Sequence, residues 1–145
     1  VVGEGEDLEA AKRKVCELGL ESVVEFCGYC TGAQLVRAYQ AADMLVLPTW
    51  WPEGFPTVIT EALQVGLPVV TTRTRGQADV LVDGENALFV PPKDPHALAQ
   101  SLIRLSQDAE LRKFMAARNR ELVRTFSAPA VARDYEKSLL RILAT

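Results

Sequence analysis

Glu53 and Glu61 stand eight positions apart in Glu53-Gly54-Phe55-Pro56-Thr57-Val58-Ile59-Thr60-Glu61-Ala62. Pro48, Pro52 and Pro56 break the backbone around the first glutamate, whereas Thr57–Val65 reads as a helix ended by Gly66-Leu67-Pro68. One carboxylate therefore sits in the loop before a helix and the other inside it. Between them lie the unpaired N–H groups of the helix's first turn, which attract anions. Pro56 has no N–H, so any phosphate contact falls to the amides of Thr57 and Val58, and Gly54 permits a close backbone approach to a ligand. Glu61 lies about one turn further in, roughly 6 Å at a rise of about 1.5 Å per residue, which suits a carboxylate reaching ribose hydroxyls. A ligand with both hydroxyls and phosphate fits this arrangement, and a nucleotide sugar has both. Spacing alone fits equally a surface loop followed by an amphipathic helix with an incidental glutamate.

The elements around this segment decide how it is held. Candidate strands are 23–28, 44–49, Val69–Thr72 and Ala87–Val90, with Val1-Val2 as the tail of an earlier strand. Met44-Leu45-Val46-Leu47 and Leu67-Pro68-Val69-Val70 are apolar without alternation, as parallel strands covered on both faces are. Candidate helices are 7–18, 33–42, Thr57–Val65, 77–82, 95–106, 109–125 and 129–143. Asp94-Pro95 is a helix start, an N-cap followed by Pro at the first helical position, and Gly19 is a stop after Leu18. Strand and helix alternating at this spacing predict right-handed βαβ units: an α/β, Rossmann-like parallel sheet sandwiched by helices. From Asp94 onward the pattern is helical only. In such sheets ligands bind beyond the carboxyl ends of the strands, which directs attention to the loops 28–32, 48–56, 71–77 and 91–94.

Composition sets the bounds. The 145 residues are expected to form one domain, 1–145, and 48% hydrophobic with 24% charged residues is a soluble globular balance. A net charge of −3 is too small to argue for nucleic acid. No apolar run approaches the roughly 18 residues that cross a bilayer, and nothing reads as a signal peptide, so a cytoplasmic setting is expected. Three cysteines, an odd number, agree with reducing conditions.

Other candidate motifs fail their own tests. Cys27-x-x-Cys30 has neither a second pair nor clustered histidines for zinc, and Cys27 falls inside a predicted strand rather than opening a helix. Both cysteines are read as small hydrophobes. Gly3-Glu4-Gly5 lacks the third glycine of a dinucleotide fingerprint, because Leu8 stands there. An NAD-dependent oxidoreductase would also need an acid about 20 residues onward at a strand end, which is absent. His96, the only histidine, is read as a surface residue. Trp50-Trp51 are either a hydrophobic plug or a sugar-stacking surface. The run Thr71-Thr72-Arg73-Thr74-Arg75-Gly76 follows a strand and could line the ligand pocket; Arg73 or Arg75 would add positive charge near phosphates or stand solvated at the surface.

Six blocks in order carry a resemblance. They are Val1-Val2-Gly3-Glu4-Gly5, Val24-Glu25-Phe26-Cys27-Gly28-Tyr29, Ala41-Ala42-Asp43-Met44-Leu45-Val46-Leu47-Pro48, Glu53-Gly54-Phe55-Pro56 leading to Glu61-Ala62, Gly66-Leu67-Pro68-Val69-Val70-Thr71-Thr72, and the block from Asp83-Gly84 to Pro91-Pro92. Nearly the whole chain resembles the C-terminal, donor-binding domain of GT-B glycosyltransferases, family 4 (glycosyl transferases group 1). The resemblance implies a transferase moving a hexose from a nucleotide-diphosphate sugar with retention of configuration. No metal and no cofactor is implied beyond that sugar as co-substrate. It makes Glu53 the catalytic first acid of a Glu-x7-Glu signature, close to the donor sugar's hydroxyls. Gly54 and Phe55 would offer backbone N–H groups to that sugar, Thr57 and Val58 after Pro56 would hold the diphosphate, and Glu61 would hold the ribose. Gly28, Tyr29 and Cys30 would border the base. Members often have two glycines near positions 75 and 76, so Arg75 is a departure.

The resemblance also sets expectations about the rest of the protein. The family's domain begins with a further strand and helix whose loop carries an Arg and a Lys, and its other half holds the acceptor. The chain is thus expected to be a fragment, lacking that first strand–helix unit and an N-terminal acceptor domain, and inactive alone. Its sheet would close a gap or borrow a strand in a strand-exchanged homo-oligomer. The resemblance leaves peripheral membrane association of a parent enzyme open. The alternative function is a non-catalytic nucleotide-sugar-binding or interaction module.

Overall fold

A computed structural model describes residues 1–51 and 54–143. The chain divides into two compact units, Val1–Gln40 and Ala41–Thr145. In the first, helix α1 (Leu8–Glu17) ends where Gly19 takes φ +64°, with the Gly19 and Leu20 amides donating back to the Cys16 and Val15 carbonyls. A left-handed residue is nearly free of steric cost only for glycine, which is why the stop was readable. Helix α2 (Gly32–Ala41) closes the unit. The segment expected as strand 23–28 is instead a turn through Val23 and then chain without regular structure. It exchanges only a few backbone bonds with Val1 and Gly3, too few for a regular strand.

The second unit is built on three parallel strands, β1 (Leu45–Leu47), β2 (Val69–Thr72) and β3 (Ala87–Val90), in that spatial order. Every residue of β2 is buried, as the unbroken apolar run predicts for a strand covered on both faces. Alternate residues feed two cores. On one face Val69 and Ala87 meet Ile59 and Leu63 of α3 (Thr57–Val65). On the other, Val70, Leu88 and Val90 meet Leu105 of α5 (Pro95–Gln107) and Met115 of α6 (Ala109–Val123). Helix α6 reaches both cores, since Leu122 and Val123 pack on the first. This is the expected Rossmann-like α/β sandwich.

Boundaries moved where local bonds outvote pattern. The helix expected over 77–82 is a short α4 (Arg75–Ala78), after which the chain turns toward Gly84 at φ +79°. The helix expected over 109–125 ends at Val123 and passes through a 3-10 turn, Arg124–Phe126, into α7 (Ala128–Leu143). Asp94 caps α5 as the sequence indicates, its carboxylate accepting the Ala97 N–H at 2.9 Å. Among the described residues no helix is long and apolar enough to cross a membrane.

Candidate functional site

Helix α3 starts where the sequence places it. Pro56 enters in extended conformation (φ −64°, ψ 134°), so Thr57 and Val58 form its exposed first turn and Glu61 lies half-buried one turn on. Ile59, Ala62 and Leu63 fix the opposite side of the helix in the core. The Phe55 ring packs on that core and lies 5.8 Å from Phe126, which anchors the loop by its side chain and leaves its backbone for other contacts. Gly54 through Glu61 are therefore one continuous feature. Glu53 and Pro52 lie outside the described residues.

A cavity of about 500 Å3 opens at the carboxyl ends of the strands. Its walls are Thr49 and Trp50 after β1, Gly54, the run Thr72 to Arg75 after β2, and Pro92 after β3. Parallel sheets bind ligands at this edge because three loops converge there. Side-chain bonds hold the loops in place. The Thr71 hydroxyl donates to the Leu47 carbonyl at 2.8 Å, and the Thr72 hydroxyl donates to that of Thr49. Gly76 makes the closest approach. A Cβ built on it would lie 2.5 Å from the carbonyl carbon and oxygen of Gly54 and 2.9 Å from the Phe55 nitrogen. The α4 segment and the loop before α3 thus meet backbone to backbone, a contact the sequence signalled only as a glycine after a strand.

The cavity is lined by positive charge. The Arg73 guanidinium stacks 4.3 Å from the Phe89 ring centre, and the Lys93 ammonium sits 4.4 Å from that of Trp50. Trp50 and Trp51 are both more than half exposed, which removes the plug reading, and Trp50 lines the cavity. Beside this rim, Gln77 is fully buried with both side-chain amide atoms lacking a hydrogen-bond partner. An orphaned buried amide costs about 1–3 kcal/mol. Gln77→Met, similar in shape and without the amide, is expected to stabilise the protein by about that amount in denaturant unfolding. A destabilised variant would mean the amide is satisfied.

The other predicted residues belong to the first unit. Gly28 adopts φ +67° and its carbonyl accepts the Gly3 N–H at 2.8 Å. Tyr29 is exposed, and the buried Cys30 thiol points at the Cys27 and Gly28 carbonyls. Cys27 is exposed, so the apolar reading holds for Cys30 alone. All three cysteines are free. A hydrogen bond to Glu21 and its negative charge push the Cys16 thiol up, away from the reactive thiolate. His96 is exposed on α5, as expected. Among the described residues no group of three or more His, Cys, Asp or Glu could hold a metal ion.

Comparison with known proteins adds identity to this geometry. The profile of glycosyl transferases group 1 matches residues 1–122. The chain belongs to the glycosyl transferases group 1 family. A D-inositol 3-phosphate glycosyltransferase from Corynebacterium glutamicum is 37% identical over 116 residues, covering 80% of this chain and 28% of that protein. Among solved structures, HepE from Anabaena in complex with UDP superposes with a TM-score of 0.84 at 23% identity, covering 97% of this chain and 40% of HepE. The C-terminal domain of the group 1 protein LpcC from Francisella tularensis gives a TM-score of 0.72 at 29% identity, over 84% of this chain and 64% of that one. The glycosyl transferases group 1 chain thus has the fold expected of it. It spans less than a third of the length of the curated relatives it matches.

Proposed function

We propose that these residues form the donor-binding part of a retaining, metal-independent glycosyltransferase that moves a hexose from a nucleotide sugar to an acceptor. The observation that carries this reading is the unbroken run from Gly54 to Glu61, in which a glycine lining a cavity at the carboxyl edge of the sheet leads through Pro56 into the exposed first turn of α3. HepE has been solved with UDP-glucose, which supports a nucleotide sugar as the ligand. In this reading the Thr57 and Val58 turn faces the diphosphate, Glu61 accepts from the ribose hydroxyls, and Gly54 and Phe55 border the sugar. Glu53 contributes the sugar-side carboxylate.

The chemistry follows from where charge develops. As the bond from the anomeric carbon to the diphosphate oxygen breaks, the leaving group takes the electron pair and gains negative charge. The N-terminus of α3 carries roughly half a positive charge and needs no rearrangement to meet it. The acceptor hydroxyl gives up its proton to the departing diphosphate oxygen as the new bond from its oxygen to the anomeric carbon forms. Glu61→Ala is expected to weaken UDP-sugar binding about tenfold by removing one charge-assisted contact. Calorimetry measures this directly. Unchanged affinity together with unchanged turnover would instead favour a non-catalytic interaction module.

A further inference from the structure

The cavity has a feature that donor binding does not use. The described residues of its wall include Thr49, Trp50 and Gly54 from the loop before α3 and none from the helix itself, so the cavity adjoins that loop rather than the first turn of the helix. Facing it are Arg73 and Arg75, and among the described residues neither forms an ion pair or hydrogen bond with a carboxylate. No described wall residue is acidic. Lys93, next to the wall residue Pro92, adds a third cation. It is also the only described non-glycine residue at positive φ, 59°, a conformation that side chains disfavour and that often marks functional loops.

Two of the cations are placed rather than loose. Arg73 is stacked on Phe89, whose backbone N–H donates to the Asp83 carboxylate at 3.0 Å, and Lys93 is stacked on Trp50. Like charges gathered with no counter-charge among the described wall residues repel one another, and an anion relieves that repulsion. Guanidinium groups are matched to carboxylate and phosphate oxygens by their planar fork of donors. About 500 Å3 is the size range of a small-ligand site, and an exposed indole beside it offers a face for a sugar ring. Arg75 is also the residue by which this chain departs from the glycine pair that its resemblance implies.

We propose that this cavity is an anion subsite on the sugar side of the reaction, in which Arg73 and Arg75 bind a carboxylate or phosphate carried by a sugar whose ring rests on Trp50. The proposal rests on the donor-binding reading. The anion has two sources, a hexuronic acid as the transferred sugar or a phosphorylated sugar as the acceptor.

Titration calorimetry on the enzyme containing this chain separates them. The probes are UDP, UDP-glucose and UDP-glucuronate, then glucose and glucose 6-phosphate with UDP saturating. At least one anionic probe is expected to bind about tenfold tighter than its neutral counterpart. That advantage disappears in the double variant Arg73→Gln, Arg75→Gln, while UDP affinity stays within about twofold. A gain for UDP-glucuronate assigns the anion to the transferred sugar, and a gain for glucose 6-phosphate assigns it to the acceptor. If UDP binds but neither anionic probe gains, or if the gain survives the double substitution, the subsite is wrong while the donor reading stands. If UDP itself does not bind, the donor reading fails and the subsite falls with it.

Discussion

If the chain binds the donor as proposed, Gly76→Ala is expected to lower nucleotide-sugar turnover by the enzyme containing it about a hundredfold, with the fold intact. The methyl group would occupy space 2.5 Å from the Gly54 carbonyl carbon and oxygen, and real carbon contacts lie well beyond 3 Å. The obstructing atoms are backbone, so no side chain can swing away. Either α4 or the loop before α3 must shift by something near 1 Å. The Phe55 ring is fixed against the core and Phe126, so the displacement falls on Gly54 and its neighbours. A misplacement of about 1 Å in groups that position a substrate costs about a hundredfold in rate. Gly76 is not in a left-handed conformation, so alanine adds no backbone strain, and α4 itself should tolerate it. The damage is therefore expected in kcat/KM and donor affinity, with an unfolding midpoint close to that of the parent. Turnover at the parent's level would show that the loop before α3 does not carry the donor site.

How far the sequence could be read depended on whether a signal was local. The bounds of α3 follow from Pro56 and Gly66, residues whose own backbone preferences start and stop a helix, and the structure places them at the predicted positions. Strands β2 and β3 were legible because strands covered on both faces are rich in apolar and β-branched residues without alternation. The segment 23–28 also reads as a β-branched run, yet it forms no regular strand, because strand formation depends on a partner that propensity does not describe. Asp79 and Val80 read as helix but form a turn, since Gln77 accepts from both Val80 and Leu81 and the chain then bends toward Gly84. In the candidate site, Glu61 and its neighbours are proposed from spacing and helix-end chemistry, both of which are local to the chain. Gly76 was passed over because its importance lies in a loop 22 positions away, and only the fold shows that the two backbones touch. The cationic wall was half-seen: Arg73 and Arg75 were noticed, whereas Lys93 joins them through the β3 exit.

Asn119→Ala is expected to destabilise the protein by about 2–4 kcal/mol, the largest stability effect of a single polar residue here. Asn119 lies in the middle of α6 and is fully buried. Its amide N–H groups donate to the Leu67 carbonyl at 2.6 Å and the Asn86 carbonyl at 3.3 Å, and its oxygen accepts from the Asn86 side chain at 3.1 Å. One side chain therefore joins α6 to the residues leading into both β2 and β3. Truncation leaves the Leu67 carbonyl and the Asn86 amide buried without that partner, and it opens a small void. Asn119→Leu separates the two losses. Leucine fills the volume without restoring the bonds, so a variant as unstable as alanine assigns the effect to hydrogen bonding, and a recovery assigns it to packing. Denaturant unfolding gives both numbers, and an alanine variant within about 0.5 kcal/mol of the parent would rule out the connection altogether. The consequence reaches the ligand site, because Leu67 leads directly into β2 and the exit of that strand carries Arg73 to Gly76. A strand loosened at its entry cannot hold its exit loop to the tolerance that Gly76 demands. Asn119→Ala should therefore weaken donor affinity even at temperatures where the protein remains folded.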